Sequence, residues 1–99
     1  MVFSRTIMSK RFSDKLAVYV FTLKSIVLEK LPITYVSHDT EGDWQFLRQD
    51  HQLREEDAML ISLGEMIEHD PSILEIADLP LGGFATRRDQ NSPWQVGRS

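Results

Sequence analysis

Hydrophobic and polar positions follow a readable order along this chain. AVYVF, residues 17–21, is β-branched and aromatic, the composition that suits a pleated, half-buried surface, and it predicts a strand. In TLKSIVLEKL, Leu23, Ile26, Val27 and Lys30 recur at three- and four-residue spacing, which predicts a short helix stopped by Pro32. ITYVSH, residues 33–38, alternates with the period of a strand. DWQFLR, residues 43–48, alternates again, with Trp44 and Phe46 on one side and Asp43, Gln45 and Leu47 on the other. Between the two lie Asp39, Thr40, Glu41 and Gly42, turn-forming residues with a glycine available for a left-handed position. An antiparallel hairpin is therefore expected here.

A charged loop, QDHQLREED, follows over residues 49–57, and AMLIS, residues 58–62, predicts a buried strand. Ser62 with Glu65 three residues later forms the pattern of a capping box and opens the helix SLGEMIEHD. Asp70 as N-cap with Pro71 in the first helical position predicts another helix, with Ile73, Leu74 and Ala77 as its apolar face. Pro80, Gly82 and Gly83 end it, and FATRR, residues 84–88, predicts a last strand. The stretch 89–99 is polar and is expected to be a loose tail, apart from Trp94, which is expected to pack back on the core. Residues 1–15, with Arg5, Lys10, Arg11 and Lys15, are expected to be a flexible extension. The sum is a single α+β domain over residues 16–88. Its expected sheet is small, mixed and largely antiparallel, with about four or five strands and two or three short helices.

Composition narrows the function classes. Ninety-nine residues, 41% of them apolar, can bury one core but not two. The absence of cysteine removes disulfides, thiolate chemistry and cysteine-held metal clusters, and it fits a cytoplasmic location. The longest apolar-rich stretch, residues 16–28, is interrupted by Lys24 and falls short of the roughly 20 residues a membrane span needs, so no membrane contact is expected. Charge is unevenly spread: residues 1–30 carry a net +4 and residues 31–99 a net −8. An acidic body repels phosphates, which argues against nucleic acid and suits a basic protein partner.

No candidate chemistry reaches a reaction. Ser37, His38 and Asp39 spell a catalytic triad, but consecutive strand residues alternate sides and their tips do not converge. Asp39, Glu41 and Asp43 have the look of a calcium loop, yet the glycine is misplaced and the twelfth position is Asp50 rather than Glu. His38, His51 and His69 share no metal-binding spacing; a site at His38, Asp39, His69 and Asp70 would need the fold to gather them. Arg87 and Arg88 are a pair that could clamp an anion, but the expected reading is a solvated strand edge. No enzyme activity, metal or other cofactor is expected.

Two longer stretches, PITYVSHDTEGDWQFL and SLGEMIEHDPSILEIADLPLGGFATR, run from an apolar strand through a turn to D-W-x-F, then a short helix, D-P-S-I, and an aromatic strand. This pattern resembles a family of small bacterial domains of unknown function grouped with immunity proteins of polymorphic toxin systems. The resemblance covers residues 16–88; residues 1–15 have no counterpart, and Arg48-Gln49-Asp50 stand where a small residue would be expected. It implies a binding role, with a protein toxin as the partner. The acidic residues Asp39, Glu41, Asp43, Asp50, Glu55, Glu56 and Asp57 are the expected contact surface for a basic partner. The alternatives are an accessory or homodimeric module with no toxin link, and a weak metal-dependent hydrolase using the histidines.

Overall fold

The structure, a computed structural model, describes residues 10–50 and 54–98. His51 and the first nine residues of the expected extension lie outside the described residues. The elements follow in the order β1 (Tyr19–Leu23), α1 (Lys24–Glu29), β2 (Tyr35–His38), β3 (Trp44–Leu47), a 3₁₀ turn (Glu55–Asp57), β4 (Ala58–Ser62), α2 (Leu63–His69), a longer 3₁₀ segment (Pro71–Ile76), β5 (Gly83–Thr86) and β6 (Gln95–Arg98). One mixed sheet joins all six strands in the order β4-β1-β3-β2-β5-β6. Only β1 and β3 run parallel; every other neighbouring pair is antiparallel. The α+β class is as expected, but the sheet has six strands rather than four or five. The additional strand, β6, comes from the stretch expected to be a loose tail. It carries one large apolar residue, so the backbone ladder to β5, and not a hydrophobic pattern, holds it in place.

Local chemistry explains most of the boundaries. In the hairpin, Val36 pairs with Phe46 and His38 with Trp44, so the aromatic positions that alternate in sequence share one face. Gly42 adopts φ 94°, the left-handed conformation its place in the turn was expected to require. β1 is displaced two residues along from AVYVF: its ladder with β4 starts at Tyr19 opposite Ser62, and Thr22 and Leu23 extend it by pairing with Met59 and Ala58. α1 ends before Pro32: Lys30 turns to φ 63° and closes the helix on Ser25. At α2 the capping box is complete. The Glu65 N–H donates to Ser62 Oγ at 3.1 Å, and the Ser62 N–H donates to Glu65 Oε1 at 3.0 Å.

The helix expected after Asp70 is instead a 3₁₀ segment, entered as predicted through Asp70 and Pro71. Its period is three residues, so Ile73, Ile76 and then Leu79 are driven inward; Ala77 is buried as expected, while Leu74 stays half-buried. These residues, with Leu63 and Met66 of α2 and Ile26 of α1, join Val20, Val36, Phe46, Ile61 and Ala85 of the sheet in one core. One face of the sheet, the inner face, is thus sealed by the helical layer. Part of the segment before residue 16 also belongs to the body: the Phe12 ring meets Trp44 edge-on at 4.8 Å, and the Trp44 indole N–H donates to Asp14 at 3.1 Å.

Candidate functional site

The seven acidic residues lie at two ends of the sheet. Asp39, Glu41 and Asp43 sit at the hairpin tip. The Asp39 carboxylate is taken up by its own turn, accepting from the Glu41 and Asp43 N–H groups at 3.0 and 2.9 Å. Asp50 follows the far end of β3 and pairs with Arg48 at 3.1 Å. Glu55, Glu56 and Asp57 form the 3₁₀ turn before β4, and Glu56 faces Arg54 at 3.8 Å. Because β4 starts opposite Leu23, and β1 runs parallel to β3, this turn belongs to the far end too. Strands of four residues, roughly 13 Å long, separate the two groups. Sequence proximity along 39–57 therefore makes two acidic ends rather than one patch.

The described histidines, His38 and His69, do not assemble a centre. His38 lies flat on Trp44, with ring centroids 3.9 Å apart, and its Nδ1 is 2.8 Å from the Leu79 carbonyl oxygen. The Asp70 carboxylate faces Ser72 and Arg87, not a histidine. No group of three or more His, Cys, Asp or Glu suited to a metal ion occurs among the described residues. Ser37 and His38 occupy alternate positions of β2, so the triad letters point to opposite faces.

Arg87 corrects the reading of the arginine pair as a solvated edge. Its side chain is only 1% exposed and reaches under the helical layer. There Nε donates to the Ile33 carbonyl at 2.8 Å, Nη1 to Ser72 Oγ at 2.9 Å and Nη2 to Asp70 Oδ2 at 2.9 Å. The Trp94 ring covers the guanidinium at 4.0 Å. D-P-S thus supplies the anionic wall of a buried cation site, and Trp94 packs back as expected, onto this cation. The signal was present in the alternation: Arg87 shares parity with buried Ala85, and Arg88 does not.

The other face of the sheet is open. By alternation its positions are Tyr19 and Phe21 of β1, Leu60 of β4, Gln45 of β3, Tyr35 and Ser37 of β2, and Phe84 and Thr86 of β5. None of these is buried. Leu23 and Leu47, at the end beside α1, are the buried exceptions. Tyr19 is 72% and Leu60 54% exposed, while Phe21 is half-buried between them. Tyr35 and Phe84 stack across β2 and β5 at 6.3 Å. Phe84 in turn lies over Gly97 so closely that a Cβ there would come within 2.7 Å of the ring. A groove of about 360 Å³ runs beside Tyr35, Ser37 and Phe84 toward the hairpin tip. No position on this strip carries a charge, and acidic residues stand at both of its ends. The composition of the strip was legible in the sequence, but the side left uncovered was not.

Comparison with known proteins found no family model, no curated relative and no solved structure that matches this chain. Among the described residues no helix is long and apolar enough to cross a membrane.

Proposed function

We propose that this protein is a non-catalytic, cytoplasmic binding domain that holds a partner protein on the open face of its sheet, in the manner of an immunity-type protein masking a toxin. The observation that carries the reading is the uncharged strip with Tyr19 and Leu60 exposed on adjacent strands, framed by acidic residues at its two ends. Protein interfaces combine an apolar, aromatic centre depleted in charge with a polar rim. A rim of this sign draws a basic partner inward and speeds its capture, whereas the centre sets how long it stays.

The test is expression of the neighbouring gene's product in a bacterial host, with and without this chain, coupled to direct binding by calorimetry. Rescue with direct binding is the expected result. Tyr19→Ser with Leu60→Ser then weakens binding at least tenfold, chiefly through faster dissociation, and charge reversal at Glu41 and Asp43 slows association in a salt-dependent way. A harmless, non-binding neighbour removes the toxin partner. Binding that ignores the Tyr19 and Leu60 changes removes this surface. The same uncharged face also fits a second copy of the chain, and light scattering separates the two: a dimer lost on Leu60→Ser would make the occupant a second copy.

A further inference from the structure

At the end of the sheet where β3 and β5 finish, a cleft of about 540 Å³ opens between Arg48, Asp50, Thr86, Arg88, Ser92 and Gln95, with Arg87 in its floor. A chain of net charge −4 thus brings three arginines and one acidic residue to a single cavity, although the Arg87 guanidinium itself is buried beneath it. The three arginines differ in what remains open to a ligand. Arg87 is spent inward on Ile33, Ser72 and Asp70. Arg48 is held firmly, its side chain 17% exposed, with Nη1 donating to the Pro32 carbonyl at 2.8 Å. Its Nη2 donates to Asp50 at 3.1 Å, and the Asp50 side chain is 69% exposed. An ion pair with one partner so exposed is weak and exchanges readily. Arg88 makes no hydrogen bond or ion pair with any described residue. The adjacent Asp89 carboxylate feels the Arg88 charge without bonding to it, and is spent chiefly on its own turn, accepting from the Asn91 N–H at 2.9 Å and Ser92 Oγ at 3.1 Å. Thr86 and Gln95, register partners across β5 and β6, add a hydroxyl and an amide to the wall.

We propose that this cleft binds a small oxyanion, a phosphate or carboxylate group, gripped by Arg88 and by the outer N–H groups of Arg48, with Asp50 as the internal competitor that gives way. The guanidinium fork matches both oxyanions in a two-point contact, and the fixed Arg48 needs little ordering to make it. The cleft adjoins the open face, sharing Thr86 and Asp50 with it, but its anion chemistry does not require a protein partner there and stands whether or not that reading holds.

The full-length chain is titrated with inorganic phosphate and, separately, with succinate, by calorimetry at ionic strength held constant with sodium chloride. Saturable binding of at least one probe is expected, and which one binds identifies the source of the oxyanion. Arg88→Ala weakens it at least tenfold, and Asp50→Asn strengthens it several-fold by releasing Arg48. Equal melting temperatures for Arg88→Ala and wild type show that the loss is not unfolding. No saturable binding to either probe, binding unchanged in Arg88→Ala, or Asp50→Asn no tighter than wild type, overturns the proposal.

Discussion

The two faces of the sheet are made from the same six strands yet obey different rules. On the inner face, Val20, Val36, Phe46 and Ala85 are at most 1% exposed, and the buried cation Arg87 has an acceptor for each of its three nitrogens. On the outer face aromatic residues are more frequent, Tyr19, Phe21, Tyr35 and Phe84 against Trp44 and Phe46, yet none of them is buried and no helix of the described residues covers the middle of the strip. An apolar residue on the inner face is explained by the fold it stabilises. One on the outer face gains little from the fold, and so points to something outside it.

The contrast can be broken most strongly at its centre. Phe46→Ala removes a fully buried ring from the inner layer and should cost about 4 kcal/mol in denaturant unfolding. Arg87→Met keeps the volume but strands Asp70, whose side chain is 21% exposed, so a loss of about 3 kcal/mol is expected. Adding Asp70→Asn to that variant should recover part of the loss, whereas a further loss would show that Asp70 has a partner worth more than the arginine. Ser62→Ala, at the rim between the two faces, should cost about 1 kcal/mol at pH 7 through the lost cap. The smallest effect is expected outside: Leu60→Ser should change stability by less than about 0.5 kcal/mol while weakening partner binding. If Leu60→Ser proves as damaging to folding as Phe46→Ala, the outer face is a second core and the comparison fails.

The capping box also gives a pH signature. Hydrogen bonds from the Ser62 backbone N–H, then from its hydroxyl, hold the Glu65 carboxyl below its ordinary value of 4.5. A depressed carboxyl contributes stability above 4.5 and loses it as pH falls through the lower folded value. The advantage of wild type over Glu65→Gln, whose amide does not titrate, should therefore narrow as thermal melts are moved below pH 4.5.

What could be read from sequence was what is decided locally. The hairpin rests on alternation and on Asp39 and Gly42 within a few residues; the cap of α2 rests on Ser62 and Glu65. What escaped was decided at a distance. The parallel pairing of β1 with β3 spans more than twenty residues, and it is this pairing that carries the 55–57 turn away from the hairpin tip. β6 carries almost no pattern of its own and is placed by Phe84 and the β5 backbone. Alternation assigns each strand two faces, but the helical layer chooses which one to cover. The acidic residues could accordingly be named from the sequence, whereas their division between two ends could not.

The buried arginine also sets an order on the chain's birth. Asp70 precedes Arg87 by 17 residues and Ile33 by 54, so on the ribosome the acceptors are made well before the cation that joins them. Until Arg87 is made, the Asp70 carboxylate has Ser72 to accept from but no cation to pair with. A nascent chain can therefore form its hairpin and the cap of α2 from residues already made, whereas the polar tie between the 3₁₀ segment and the residue following β5 is among the last contacts open to it.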